Sequence, residues 1–432
     1  MRILFVSLYN DEAYGLRILH SLVKNKGYDS RMLFLKRYSP KTPLTDKERE
    51  LFYEEIRIFN PDLLAFSLVS PNFCLYQSLY PTLRKLGNFK IVIGGWQASL
   101  NPIETIRYCD FLCVGEGEEA ILDLIKSLEL KKSIYNIKNI WYKIEDLIIE
   151  HLPRPLSHNL NIPFVFASPK SIACIDDNQI IYNDPYKTNM RYGTSIGRGC
   201  PFHCTYCSNS FMANKIYPGE WSKIRYRSVD NVIEELKIAK STFPLLKQIN
   251  FYDEIFMPQA SWVDEFFDKY KQEINLPFYC MFFPGTCKED LLKIMIKAGL
   301  AGVWMGVQSG SERVRKEVFK RYYTNQTVLK QTQLFSDYKI SAKYDFIFDN
   351  PFETPEETED TYKLMAQIPE PKSFNFFSLK FFPNTELTDM ALQAGFITKK
   401  DLDDQLAIES PRYEVSEERK KEILTRVKSY VL

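Results

Sequence analysis

The chain of 432 residues is 45% hydrophobic and 26% charged, the composition of a folded globular protein with material for two or three domains. Its 56 Lys and Arg against 55 Asp and Glu leave a formal charge of +1, which excludes a molecule-wide basic surface, so no nucleic-acid partner is expected. The opening MRILFVSLYN is too short for a secretory apolar core, no run reaches the ~20 apolar residues of a membrane helix, and nine cysteines read as ligands and small buried hydrophobes: a cytoplasmic protein with no transmembrane segment and no disulfide framework is expected.

In chain order, residues 1–135 alternate strand and helix signals. Strands are expected at Arg2–Leu8, Leu63–Leu68, Lys90–Ile93 and Phe111–Val114, and helices at Gly15–Lys26, Asp46–Phe59, Leu75–Leu86 and Glu116–Leu128. Leu16, Leu19, Leu22 and Val23 of the first helix recur at helical spacing. Such a βαβ series predicts a doubly wound, Rossmann-like parallel sheet with helices on both faces. Residues 136–190 lose the rhythm: IWYKIEDLIIEH reads as a small hairpin, and Pro153, Pro155 and Pro163 punctuate an extended linker.

From 191 to 385 the alternation resumes, with strands expected near Gly193–Ile196, Gln248–Tyr252, Phe278–Phe282, Gly302–Gly306, Ser341–Phe348 and Phe374–Phe381. Helical patterns fall at Val229–Ser241, Ser261–Gln272, Lys288–Lys297, Val314–Tyr338 with a break, and Glu357–Gln367. Six such units predict a partial (β/α)6 TIM-like barrel, its site at the carboxyl ends of the strands. Residues 386–432 are expected to close the fold as helix, with Ile423, Val427, Tyr430 and Val431 of SEERKKEILTRVKSYVL on one face.

Chemistry concentrates in GRGCPFHCTYCSNS, residues 197–210, where Cys200, Cys204 and Cys207 stand in a C-x3-C-x2-C spacing just after the first barrel strand. Three thiolates on one tight loop can hold three corners of a [4Fe–4S] cube and leave one iron open. A zinc-ribbon reading needs a second C-x2-C pair, which the sequence lacks; Cys109-x3-Cys113 belongs to the first domain. His203 reads as solvent-facing or as a neighbour of the ligands, and Cys280 and Cys287 as buried apolar residues.

The Cys triplet, with Tyr206 before its last Cys and six β/α units around it, resembles the radical S-adenosylmethionine (SAM) superfamily. Later strand ends extend the resemblance: QINFYDEIF at 248–256, GVWMGVQSGSERV at 302–314 with Gln308 where the signature commonly has Glu, DFIFDNPFETPEE at 345–357, and FFPNTEL at 381–387. PDLLAFSLVS, IVIGGWQAS and CDFLCVGEGEEAI resemble the cobalamin-binding domain of one large branch of that superfamily.

The resemblance implies a [4Fe–4S] cluster on Cys200, Cys204 and Cys207, and SAM on its open iron, near Tyr206, Tyr252, Asp253, Glu254, Gln308, Ser309 and Phe382. It also implies cobalamin near Asn10, Glu12, Gly15, Ser67, Gly94, Gly95, Trp96, Gly115, Glu116 and Gly117. Several of these residues keep a plainer alternative. The acids after Tyr252 also suit a helix cap, Ser309–Ser311 a local turn, Trp96 a core position, Asp349 a solvated loop, and the glycines of the first domain a fold without its corrin. Many cobalamin domains place a cobalt-binding His where this chain reads Asn10-x-Glu12-x-x-Gly15, so His ligation is not expected, and His20 reads as a surface or packing residue.

The function so implied is reductive cleavage of SAM to a 5′-deoxyadenosyl radical and cobalamin-dependent methyl transfer to an unactivated carbon or phosphorus. Cyclisation, ring contraction or carbon–carbon coupling, with or without cobalamin, is the alternative, and a non-catalytic iron–sulfur redox sensor is the reading from another class. The implied partners are a small-molecule, lipid or peptide substrate and an external one-electron reductant of flavodoxin or ferredoxin type.

Overall fold

The computed structural model describes all residues except 39–41, 163, 165–170, 407–413 and 431–432. Pro163 and Val431, named above, lie outside the described residues.

The first sheet has nine strands: β1 Arg2–Leu8, β2 Asp29–Leu35, β3 Leu63–Ser67, β4 Lys90–Gly94, β5 Phe111–Cys113, β6 Ile140–Ile144, β7 Leu147–Ile149, β8 Ile172–Asp176 and β9 Gln179–Ile181. Their order is β7-β6-β5-β4-β3-β1-β2-β8-β9, parallel from β5 to β8 with an antiparallel strand pair at each end. A strand covered on both faces reads as an unbroken apolar run, and RILFVSL is buried at six of its seven positions. Its alternate residues divide between two cores. Leu4, Val6 and Leu8 pack with Phe52, Ile56, Leu75 and Leu79 of the helices Asp46–Phe59 and Phe73–Leu86. Ile3 and Phe5 pack with Leu16, Val23, Ala120 and Leu124 of Tyr14–Asn25 and Glu118–Glu129.

Two expectations need correction here. The polar head of DSRMLFL hid β2, whose apolar half is fully buried. The linker 136–190 is not a free connector: the hairpin expected at its start is β6–β7 and borders β5, and a second hairpin, β8–β9, borders β2 on the opposite edge.

The second sheet runs β10 Arg191–Thr194, β13 Gln248–Phe251, β14 Phe278–Phe282, β15 Leu300–Gln308, β16 Ser341–Phe348 and β17 Lys372–Ser378, all parallel and in that spatial order. It is an open, six-unit arc of a barrel. On β14, β15 and β16 buried and half-buried residues alternate. The buried row (Cys280, Val303, Met305, Tyr344, Phe346) packs against Leu292, Met295, Val328 and Phe335 of the surrounding helices. The other row, Tyr279, Trp304, Gly306, Lys343 and Asp345, lies on the opposite, concave face. The first expected barrel strand lies two residues earlier than read: β10 begins at Arg191 and stops at Thr194, and the chain enters β11 Gly197–Arg198, antiparallel to β12 Arg225–Tyr226.

The last helix, Glu417–Lys428, buries Ile423 and Val427 in the barrel core, whereas Tyr430 stays exposed and donates to Glu359 at 2.5 Å. Among the described residues no helix is long and apolar enough to cross a membrane.

Charged and polar contacts join the two sheets into one body. Arg17 pairs with Asp184 at 2.7 Å with both side chains buried, and the Asn384 amide donates to the Leu100 carbonyl at 2.6 Å.

Candidate active site

The cysteine loop leaves β11 and is held from several sides. Asp253, just past β13, accepts the backbone N–H of Ile196 at 3.0 Å and of Gly197 at 2.8 Å. Cys200 N–H donates to the Trp221 carbonyl at 3.2 Å, Thr205 Oγ1 to the Val318 carbonyl at 2.6 Å, and Ser210 Oγ to the Cys204 carbonyl at 2.6 Å. Cys200 and Cys204 are buried and Cys207 is half-buried, all three as free thiols. Burial, with the charges of the other thiols in the triplet adding to it, pushes Cys200 up to about 12 and Cys207 up to about 11.

The donor set is three soft sulfurs on one loop, Cys200, Cys204 and Cys207. Among the described residues no three His, Cys, Asp or Glu converge on a single-ion position. The three sulfurs fit a cluster's preference for thiolate.

Of the residues expected around SAM, the structure brings four to this loop or the cleft beside it. Tyr206 Oη accepts from Arg321 Nη1 at 3.2 Å. Tyr252, Asp253 and Glu254 line the cleft between the two sheets. Glu254 is reached by solvent yet surrounded by protein, and burial pushes it up to about 7 against the pull of Arg198. Its carboxylate bonds the Asn209 side chain and, with lone pairs to spare, can still meet an ammonium; Asp253, also raised to about 7 by burial, is committed to bracing the loop.

Ser309 is likewise committed. Its Oγ donates to Glu353 Oε1 at 2.8 Å and accepts from Ser311 N–H at 3.1 Å, while its carbonyl accepts from Arg315. Gln308 ends β15 with φ 73°, a left-handed turn that carries the chain out of the strand. Phe382 is half-buried, its carbonyl accepting from Thr385 and Thr388. Asp349 takes φ 57° in an exposed loop, the solvated reading, and Phe352 packs edge-on against Phe396 at 4.8 Å.

Two predictions arise in this corner. A Cβ at Gly310 would press into the backbone of Asp360 and Thr361, which a helix cannot withdraw cheaply. Gly310→Ala is therefore expected to cost about 3 kcal/mol in a urea unfolding curve. Burial lifts the Glu353 carboxyl to about 7, although the Ser309 hydroxyl opposes the shift. A folded value above the unfolded one means that its stabilising share is complete below pH ~4 and is lost as pH rises through about 7. Glu353→Gln should then match the parent near pH 5 and melt on the order of 1–2 °C higher at pH 8.

The cobalamin residues converge more fully. Asn10, Gly15, Ser67, Gly94, Gly95, Trp96, Gly115, Glu116 and Gly117 all line one cleft at the carboxyl edge of the first sheet, with about 1830 Å³ of empty space including its open mouth. The small side chains along this wall leave room for a broad flat ring, and carboxyl edges of open α/β sheets are where ligands bind. The residues fit a corrin in size.

Two of the ten are used otherwise. Glu12 does not line the cleft; it bonds Tyr252 of the barrel, and burial raises its carboxyl. The Glu116 carboxylate is taken by Arg225, at 3.1 and 2.6 Å, and by Arg198 at 3.4 Å, and Arg198 also reaches Glu118 at 2.5 Å. Trp96 lines the cleft and packs on Met212 and Trp221. Among the described lining residues there is no histidine. His20 is buried away from the cleft, 2.7 Å from Ser30 Oγ, and desolvation lowers it to about 3, so it is a packing residue. Asn10 caps the loop, accepting from Glu12 and Ala13 N–H through Oδ1.

Arg198, Arg225 and Arg321 are not among the site residues expected from the sequence. Arg198 adjoins the Cys motif, a signal that could have found it; the other two carry no local signal.

The Radical SAM superfamily model matches residues 194–365, and the B12 binding domain model matches residues 2–125. The chain carries both a radical SAM domain and a B12-binding domain. Similar proteins include an uncharacterized methyltransferase of Pyrococcus horikoshii, 27% identical over 72% of this chain and 66% of that protein. An anaerobic magnesium-protoporphyrin IX monomethyl ester cyclase of Cereibacter sphaeroides is 23% identical over 73% of this chain and 51% of its own. The chain thus spans about half to two thirds of the length of these relatives. The fold is shared with the radical SAM methyltransferase TsrM from Kitasatospora setae, at a TM-score of 0.74 and 17% identity, over 92% of this chain and 77% of that one.

The cofactors of this radical SAM protein follow from its two domains: a [4Fe–4S] cluster with SAM in the barrel, and cobalamin at the B12-binding sheet.

Proposed function

We propose that the protein is a cobalamin-dependent methyltransferase acting on an unactivated carbon or phosphorus. The observation that carries this reading is the shared cleft: Gly94, Gly95 and Gly117 of the first domain and Ser195, Arg198, Tyr252 and Glu254 of the barrel line one continuous space. A methyl group can pass directly between two cofactors only if both open on the same substrate position.

When bound, the cluster supplies the electron, SAM the hydrogen-abstracting radical and the methyl group, and cobalamin the methyl carrier. The chain's own residues hold and shield. Cys200, Cys204 and Cys207 would ligate the cluster; Glu254 would accept from the SAM ammonium; the small residues from Gly15 to Gly117 would seat the corrin. Glu116 and Arg225, each mostly buried, hold the two halves together at the cleft margin. Apolar walls at Trp96, Met212 and Trp221 keep water from one side. A half-buried row of Tyr279, Trp304, Lys343 and Asp345 offers the substrate both aromatic and charged neighbours. A small molecule, a lipid or a peptide remains the substrate class, and the electron would come from an external flavodoxin- or ferredoxin-type donor.

The test needs no substrate. Protein made anaerobically with cobalamin and reconstituted with iron should hold near-equimolar corrin and about four irons per chain, and, with a chemical reductant present to bring the cobalt to its Co(I) state, methyl-labelled SAM should leave its label on the corrin. A full cluster without corrin overturns methyl transfer. The relationship to a cyclase favours a second reading, radical ring formation; bound corrin that takes no label from SAM is the result that selects it.

A further inference from the structure

Arg321 occupies an unusual place. It is 6% exposed, follows the π-type turn Val314–Val318, and its guanidinium reaches the cysteine loop from below. Nη1 lies 3.4 Å from Cys204 Sγ and 3.2 Å from Tyr206 Oη; Nη2 donates to the Gly306 carbonyl at 2.6 Å; Nε donates to Tyr323 Oη at 3.2 Å. The same group lies over the Phe283 ring at 4.2 Å. Phe283 in turn stacks on Phe202 of the cysteine loop, centroids 3.7 Å apart and planes within 7°. The arginine is thus clamped in a dry, aromatic shell and aimed at a cluster ligand.

A buried cation requires a negative partner. Among the described residues Arg321 makes no hydrogen bond or ion pair with a carboxylate; its partners are two phenols, one carbonyl and one cysteine sulfur. Once Cys204 ligates iron as thiolate, its sulfur is the anionic group in contact with the guanidinium.

We infer that Arg321 donates a hydrogen bond to the Cys204 thiolate of the cluster and thereby holds the cluster's reduction potential up. Reduction adds one electron from an external one-electron donor and takes the cluster from its 2+ to its 1+ state, with no proton transferred. The added negative charge settles on iron and sulfur beside Arg321. A cation and a sulfur-directed N–H favour that state over the oxidised one, and hydrogen bonds to cluster sulfurs are among the factors that set such potentials. A local dielectric lowered by Phe202, Phe283 and Phe319 strengthens the effect.

The inference rests on the cluster reading, and the experiment separates the two. Parent, Arg321→Gln and Arg321→Lys proteins are reconstituted anaerobically without SAM, their iron is counted, and the reduced cluster signal is followed by EPR against an applied potential. At the parent midpoint, Arg321→Gln is expected to show a reduced-to-oxidised ratio about tenfold lower, equal to about 59 mV for a one-electron couple, with Arg321→Lys between the two. Full iron with superimposable titrations in all three proteins overturns the inference. Since Arg321→Gln can fail to hold iron for lack of its braces, a second measurement uses the parent alone: with guanidino-15N-arginine, pulsed EPR of the reduced cluster should show coupling to a nearby 15N. No coupling overturns the assignment. A parent that binds no iron instead refutes the cluster, upstream of this inference.

Discussion

Cys204→Ala is expected to take iron after anaerobic reconstitution from about four per chain to below one, and SAM cleavage with it, while leaving the apoprotein nearly as stable as the parent. The reason lies in how the loop is held. The Cys204 carbonyl accepts from Ser210 Oγ at 2.6 Å and from Cys207 N–H at 3.0 Å, and Thr205 is tied to Val318 and Phe319 through side chain and backbone. None of these contacts uses the sulfur, and Arg321, whose Nη1 lies 3.4 Å from it, keeps Tyr206, Tyr323 and the Gly306 carbonyl when it is gone, so removing it deletes a ligand without unfastening the chain. Loss of one sulfur atom from a buried site costs about 1 kcal/mol. Iron analysis beside a urea curve checks both halves of the expectation, and a fall in stability of several kcal/mol would show the thiol to be structural.

Glu116→Ala should have the largest effect on the molecule as a whole. Arg225 is only 4% exposed in its side chain and Glu116 13%, and the pair is bidentate. Removing one member of a buried pair leaves an uncompensated charge, at a cost of about 3–5 kcal/mol. Arg198 loses one of its two acids at the same time, directly before the cysteine loop. The expected calorimetric result is a split of one melting transition into two, as the first sheet and the barrel cease to unfold together. Glu116→Gln, which keeps the shape and some hydrogen bonding, should fall between the two. A single transition at the parent temperature in Glu116→Ala would show that other contacts, Arg17–Asp184 foremost, carry the interface.

The strands that the sequence makes legible are those whose partners lie on both faces. RILFVSL and SAKYDFIF declare themselves because burial writes apolar residues into every position or every second one. β2 and β8 do not, since DSR heads one and the other is a five-residue run, IACID, whose place beside β2 depends on a neighbour more than a hundred residues away. The site shows the same division. Cys200, Cys204 and Cys207 are legible because their spacing is a local property of one loop. The GEGE stretch resembles a corrin loop, yet its Glu116 answers to arginines 82 and 109 residues on, and no local pattern announces them. For Asp253 the sequence points to this corner but not to its bracing of the cysteine loop. Its carboxylate oxygens are occupied by the N–H groups of Ile196 and Gly197, a fact that exists only once β10 and β13 are side by side.

The two hairpins at the ends of the first sheet bear on how the molecule comes to be made. Both are encoded after the parallel strands they cover, β6–β7 closing one side and β8–β9 the other. A ribosome that has released only the first 135 residues presents β2, seven residues long with an apolar tail, as an unpaired edge, the kind of surface on which chains associate wrongly. That edge is sealed when Ile172–Ile181 emerges, and β10 begins only ten residues later. Synthesis therefore completes the first domain almost at the moment it starts the second, so that a shortened protein ending near residue 135 should aggregate where one ending near 185 stays dispersed.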